Sequence, residues 1–194
     1  MIHRKMPQYG ELSQSLENKR GVVMSNIILI ELKVGEQQKA EDLAALARRI
    51  WLEHYTPIIG RTQVEYMLDK YQSADQILKD IEANEYRYFI AYDGEIQVAY
   101  CAVKPDYKNG GLFLSKLYVQ QNMRGLGISK IMLDKAFSVA KKNNLDHIWL
   151  TVNKHNSKSI EIYKKLGFTI VEELVTDIGN HFVMDDYKMQ ARVS

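Results

Sequence analysis

Leu112-Phe113-Leu114-Ser115-Lys116-Leu117-Tyr118-Val119-Gln120-Gln121-Asn122-Met123-Arg124-Gly125-Leu126-Gly127-Ile128-Ser129 decides how this chain is read. Leu112 to Val119 is a strand-like run. A polar connector, Gln120 to Met123, leads to a loop with two glycines, and an amphipathic helix follows to about Lys142. Strand, glycine loop and helix together present backbone N–H groups to a phosphate. The first turn of a helix has unpaired N–H groups and a partial positive charge. Gly125 and Gly127 can take positive φ and leave no side chain between backbone and ligand. Arg124 adds a fixed cation at the mouth. The stretch therefore reads as a pyrophosphate cradle, against the plainer alternative of a strand-to-helix turn with glycine at a tight corner. A P-loop is excluded, because Ile128-Ser129 stands where Lys-Ser/Thr would be needed. A dinucleotide fingerprint is excluded too, since it needs three glycines after a first strand.

Arg124-Gly125-Leu126-Gly127-Ile128-Ser129 resembles the acyl-CoA loop of the GNAT superfamily of N-acetyltransferases, with Ser129 a small departure at the last position. Leu117-Tyr118-Val119 resembles the strand end that flanks the thioester. Asn156, Ser159, Tyr163 and Gly167-Phe168 fall at the spacing of the superfamily's second CoA motif. The resemblance runs roughly from Ile27 to Met189. It implies acetyl-CoA as cosubstrate and a mixed α/β fold, with a largely antiparallel central sheet flanked by helices. It also implies that the sheet splays open beside the central strand to admit the cofactor.

The remaining elements are read from periodicity. Ile27 to Val34 is mostly β-branched and aliphatic, hence a first strand. Glu36 to about Tyr55 is a helix, with Leu43, Leu46, Ala47, Ile50, Trp51 and His54 on one face and Pro57 ending it. Thr62 to Lys70 is a second helix, and Ser73 caps a third from Ala74 to about Ala83. Tyr86 to Tyr92 and Glu95 to Val103 form a hairpin on Asp93-Gly94. Pro105 to Gly111 is a turn. Asp146 to Val152 is a strand, and a short helix from about Ser157 to Leu166 stops at Gly167. Phe168 to Val175 and Asn180 to Met189 make a last hairpin around Asp177-Ile178-Gly179.

The 194 residues suit one domain, residues 27–194, preceded by a polar and loosely held extension, residues 1–26, with an internal Met24 as an alternative start. Hydrophobic residues are 46% and charged residues 26%, ordinary for a globular chain. No apolar run approaches the ~20 residues of a spanning helix, so no membrane partner is expected. Four basic and two acidic groups before Ile27 supply the whole net charge of +2, and no basic stripe suggests nucleic acid. Cys101, the single cysteine, excludes an internal disulfide and reads as a buried apolar residue. A cytoplasmic setting is expected. The five histidines show no metal-ligand spacing, and no metal is expected.

Acetyl transfer to an amine sets three demands. The amine, with a pKa of about 10.4, must lose a proton. The developing oxyanion needs donors. The departing thiolate needs a proton. The resemblance implies N–H groups around Leu117 and Val119 as donors. It makes Tyr163, two helical turns beyond Asn156, the candidate general acid, with a packing role or a hydrogen bond to the cofactor sulfur as alternatives. Asn156 would bond the pantetheine arm or cap the short helix. The acyl-CoA contacts expected are thus Leu117, Tyr118, Val119, Arg124, Gly125, Leu126, Gly127, Ile128, Ser129, Asn156, Ser159 and Tyr163. Many relatives carry a Glu on the central strand, but Ser115-Lys116 occupies that neighbourhood here. A water relay through Tyr118, Ser115 or a residue of the first helices, Glu53 and His54 among them, is expected instead. For His54 the alternative is a core or rim histidine.

The acceptor side draws on Trp51, His54, Tyr55 and Ser115, with Tyr66, Tyr71, Asp185, Asp186 and Tyr187 nearby. Aromatics with acids suit a cationic amine. Ile148-Trp149-Leu150, Tyr163-Lys164-Lys165-Leu166-Gly167-Phe168 and Val183-Met184-Asp185-Asp186-Tyr187 resemble the bacterial polyamine-acetylating branch, which makes spermidine or spermine the leading acceptor. A peptide N-terminus or lysine, an amino sugar or antibiotic, and a non-catalytic acyl-CoA-binding module stay open. So does a nucleotide-phosphate binder. The resemblance allows a homodimer.

Overall fold

The computed structural model describes residues 27–193, and the expected extension at residues 1–26 lies outside them. The elements run β1 (Ile27–Glu31), α1 (Gln37–Ile59), α2 (Arg61–Tyr71), α3 (Ala74–Ala83), β2 (Arg87–Asp93), β3 (Ile96–Asp106) and β4 (Gly111–Val119). They continue with α4 (Ile128–Lys142), β5 (His147–Asn153), α5 (Ser157–Lys165), β6 (Thr169–Gly179) and β7 (Phe182–Arg192). One sheet has the order β1-β2-β3-β4-β5-β7-β6. Every pairing is antiparallel except β4 with β5. The mixed, largely antiparallel sheet expected from the sequence is present.

Helices cover both faces. On one face α4 buries Met132, Leu133, Ala136 and Val139 against Leu112, Leu114, Ile148 and Leu150. On the other, α1 and α3 bury Leu43, Leu46, Ile50 and Ile77 against Tyr88, Ile90 and Tyr100. The C-terminal part of α1 joins a third cluster with Val64, Met67 and Leu68 of α2. Cys101 is fully buried in the first cluster, as a small apolar residue would be.

The structure corrects four local expectations. Pro57 does not end α1, which continues to Ile59. Proline in a last turn removes a single i→i−4 bond, and the true stop is Gly60 at φ 80°. The first hairpin turns on Gly94-Glu95 rather than Asp93-Gly94, because Asp93 pairs with Ile96. Only Gly94 has positive φ there, as when glycine takes the first central position of a two-residue turn. Pro105 and Asp106 belong to β3, opposite Leu112 and Gly111. The pairing of β2 with β3 stops at Val103, so Pro105 has no partner on that side needing its N–H. The last hairpin turns on Asn180-His181, at φ 53° and 62°. Asp177-Ile178-Gly179 is instead an irregularity within the ladder.

The register of β4 contains the feature that shapes the molecule. Ala102 faces Lys116 and Val103 faces Leu114, so Ser115 is an extra residue bulged out of the ladder. The bulge changes which face each side chain meets. Leu112 and Leu114 pack on the α4 side, and beyond the bulge so do Leu117 and Val119. Lys116 and Tyr118 turn to the opposite face. Lys116 is buried there, 3.6 Å from Asp80 and over the rings of Tyr86 and Tyr88. Asp80 also accepts from Gln76 (2.7 Å), Asn84 (3.3 Å) and Tyr88 (2.7 Å).

The C-terminus of α5 is closed by backbone. Phe168 N–H donates to Tyr163 O at 3.0 Å and Gly167 N–H to Lys164 O at 3.1 Å, with Gly167 at φ 90°. No atom crowds a Cβ at Gly167, so backbone strain alone opposes a side chain there. Gly167→Ala is expected to cost about 1 kcal/mol, read as a lower midpoint in urea unfolding.

Candidate functional site

Strands β4 and β5 pair only from Gly111↔His147 to Phe113↔Trp149. The Phe113 and Trp149 rings stack at 4.1 Å where the pairing stops, a contact worth about 1 kcal/mol beyond its buried area. Beyond it the strands part. The opening is a cleft of about 270 Å³ lined by Leu114, Ser115, Leu117, Tyr118 and Val119 of β4 and Leu150, Thr151 and Val152 of β5. Gln120 N–H bonds Val98 O on β3 at 2.9 Å. Alternation along the ladder then turns the N–H groups of Leu117 and Val119 toward the gap. The Val119 carbonyl points the same way and accepts from Arg124 Nε at 3.0 Å.

The glycine loop closes one end of the cleft. Gly125 and Gly127 take φ 78° and 81°. Gly127 stands at the start of α4, no side chain caps it, and no acid occupies the first turn. The positive end of α4 therefore faces the opening with its N–H groups available. Arg124, Gly125, Ile128 and Ser129 line the cleft. Leu126 instead packs against the α4-side core. Arg124 is held on both sides, by the Val119 carbonyl and by Glu53 of α1 at 3.7 Å.

Helix α5 and the end of α1 close the other side. Asn156 is 3% exposed. Its Oδ1 accepts from Ser159 N–H at 3.3 Å, capping α5, and its Nδ2 lies 3.2 Å from His54 Nε2. The cap fixes the amide orientation, so Nδ2 donates and His54 Nε2 is an unprotonated acceptor. The electrostatics agree. Burial, reinforced by the Arg124 charge, holds His54 below the usual histidine value. Ser159 and Tyr163 line the cleft, and Tyr163 meets Phe168 edge-on at 5.6 Å.

Phenols dominate the interior. Burial pushes Tyr55 up to about 12, although hydrogen bonds to Tyr118 and Asn156 oppose the shift. Burial likewise raises Tyr118 and Tyr163, with the Tyr55 hydroxyl adding to both. Each therefore keeps its proton near neutrality. Trp51 stands behind the cleft, packing on Tyr55 at 4.6 Å and Tyr118 at 5.6 Å. Ser115 lines the cleft at the bulge and hydrogen-bonds Tyr86. Tyr66 is spent on the Ile178 carbonyl at 2.6 Å. Strand β4 carries no acid, and Lys116 is sealed with Asp80 of α3.

Sequence reasoning passed over Thr151. Alternation along β5 could have found it, because Leu150 and Val152 face α4 and Thr151 must face the other way. Among the described residues no group of three or more His, Cys, Asp or Glu could hold a metal ion, and no helix is long and apolar enough to cross a membrane.

Comparison with known proteins decides the family. The description "Acetyltransferase (GNAT) family" matches residues 41–168. The chain belongs to the GNAT acetyltransferase family. Streptothricin acetyltransferase of Streptomyces lavendulae is 30% identical over 42% of this chain and 44% of its own length. The chain thus spans less than half of that relative. A probable spermine N(1)-acetyltransferase of Bacillus subtilis subsp. natto is 25% identical over 60% of this chain and 79% of its own length. Among solved structures, the PaiA N-acetyltransferase of Thermoplasma acidophilum, crystallised with coenzyme A, superimposes with a TM-score of 0.70. It is 20% identical and covers 84% of this chain and 98% of its own. At that identity the likeness establishes the fold.

The neutral state of His54 is open to direct measurement. Its ring protons are expected to titrate in NMR spectra with a midpoint below 6.5, and Arg124→Gln is expected to move that midpoint upward by removing a neighbouring positive charge.

Proposed function

We propose that this GNAT-family domain transfers an acetyl group from acetyl-CoA to a primary amine, by direct attack with both substrates bound, and that the acceptor is a polyamine such as spermidine or spermine. The gap between β4 and β5 carries this reading. It is narrow, apolar along its walls, and ends on an uncapped helix N-terminus flanked by Arg124. Those features suit a long, slim ligand with a pyrophosphate at one end.

In this reading Gly125, Gly127, Ile128 and Ser129 would hold the pyrophosphate through backbone N–H groups, with Arg124 beside them. Leu126 would contribute its N–H while its side chain anchors the loop. Asn156 and Ser159 would flank the pantetheine arm, and the N–H groups of Leu117 and Val119 would donate toward the acyl end. Bound acetyl-CoA supplies an activated thioester. Tyr163 holds a proton on a phenol that burial keeps neutral, which suits a donor to a departing thiolate. Tyr55 and Tyr118, braced by Trp51, and the neutral His54 form the acceptor wall.

A polyamine acceptor is supported by the aromatic wall, by the acids of β7 and by the name of the Bacillus relative. A cation gains at an aromatic face, and more when both are desolvated.

Thiol release from acetyl-CoA should be followed with spermidine, spermine, a lysine peptide and an amino sugar. Spermidine or spermine is expected to give the highest kcat/KM. Tyr163→Phe is expected to lower kcat about 10²-fold while leaving KM for acetyl-CoA nearly unchanged. Equal kcat in both proteins would remove Tyr163 as the acid. Tight coenzyme A binding without release to any amine would overturn the enzymatic reading in favour of a binding module.

A further inference from the structure

The roles above leave the amine's proton without a destination. Strand β4 offers only Ser115 and the sealed Lys116. Glu53 is committed to Arg124 at 3.7 Å. His54 spends Nε2 on the Asn156 amide.

Asp186 of β7 is a buried acid beside the cleft. It is 4% exposed, and its Oδ1 is buried with no hydrogen-bond partner. A carboxylate oxygen shielded from water and unpaired is costly, so its retention calls for a reason. Asp186 pairs across the ladder with Asn153, and Thr151 lies two residues before Asn153. Thr151 and Asp186 therefore share one face of the sheet. The Thr151 hydroxyl is near enough to the Asp186 carboxylate to favour its charged form, and Thr151 itself lines the cleft. Tyr55 of α1 covers the same region, close enough for the Asp186 charge to raise its hydroxyl. A threonine hydroxyl thus stands between the opening and a sealed carboxylate.

We propose that Asp186 is the terminal proton acceptor for the incoming amine, reached through the Thr151 hydroxyl. An ammonium N–H bond breaks and its proton passes to Thr151 Oγ. The proton already on Thr151 moves to the Asp186 carboxylate. The products are a neutral amine with a free lone pair and a neutral carboxylic acid, and the threonine is unchanged. The proton returns to solvent by the same path once the acetylated product has left. Thr151 is the group that would touch the substrate, and Asp186 acts through it. The relay rests on the reading of this chain as an amine acetyltransferase.

The surroundings suit the task. Burial, with the neighbouring Asp185 charge, pushes the Asp186 carboxyl up to about 6, against the Thr151 hydroxyl and the Lys154 charge. Lys154 is itself bound to Asp185 at 2.6 Å and Glu173 at 2.9 Å, and Tyr55 is neutral. Asp186 is thus ionised at neutral pH, yet a stronger base than an ordinary aspartate.

The test compares the native protein, Asp186→Asn and Thr151→Val. Carbon NMR titration of the aspartate carboxyls in the ligand-free native protein is expected to show one midpoint near 6, missing from Asp186→Asn. With the best amine, native kcat/KM is expected to fall on the acid side about that same midpoint. Asp186→Asn should lower kcat about tenfold or more and lose that acid limb. Thr151→Val should reproduce the loss of kcat while keeping a raised Asp186 carboxyl.

Folding is checked by melting. A carboxyl raised in the folded state favours folding at acid pH, and that advantage disappears as pH rises through the folded value. Asp186→Asn is therefore expected to melt at or above the native temperature under mildly alkaline conditions. If it unfolds instead, Thr151→Val carries the test. Native kcat and an intact acid limb in either folded variant would overturn the relay alone, as would the absence of a raised carboxyl. No thiol release by the native protein with any amine would overturn the acetyltransferase reading, and the relay with it.

Discussion

A strand that abandons its neighbour halfway along has to account for the backbone groups it leaves behind. Buried N–H and C=O groups are almost always paired, and a parallel pair normally runs the length of its strands. Here β4 and β5 hold together for three residues and then separate. The bulge at Ser115 supplies the local cause, because an extra residue bends its strand and increases its twist. The stacked rings of Phe113 and Trp149 mark where the separation begins. The backbone groups that remain facing the gap set this part of the sheet apart from the rest.

Charge is zoned around that gap. The mouth is cationic and fixed, with Arg124 held by one backbone carbonyl and one carboxylate. The interior holds neutral polar groups: protonated phenols and an unprotonated imidazole. The buried lysine of the central strand is kept apart from it. Lys116, turned inward by the bulge, is met by Asp80, which three further donors satisfy. A buried ion pair of this kind contributes little net stability. Removing one partner alone would strand the other.

Much of this was legible in residues. Two glycines after a strand, with arginine before them, read as a tight loop entering a helix, and the structure has that loop, with Gly125 and Gly127 at positive φ. Ser73 reads as a helix cap and is one, accepting from Gln76 N–H. The site geometry was less legible because it depends on register. A bulge has no composition of its own, so Leu112 to Val119 reads as one unbroken strand, and the face taken by Lys116 comes out wrong by one. Asn180-His181 lacks glycine, yet asparagine tolerates positive φ, and the nearby Asp177-Ile178-Gly179 drew the turn too early. Thr151 and Asp186 are eclipsed in sequence by apolar and acidic neighbours. Only the pairing of β5 with β7 brings them to one face.

Helix α1 is one rigid body with two separate duties. Its first half, from Ala40 to Ile50, is locked into the core. Its last turns carry Glu53, His54 and Tyr55 past the edge of that core and end at Gly60. The first set of residues packs against the sheet, and the last turns pack on α2 and border the cleft. A substitution in the final two turns of that helix would alter the wall of the cleft while leaving the packing of α1 on the sheet in place.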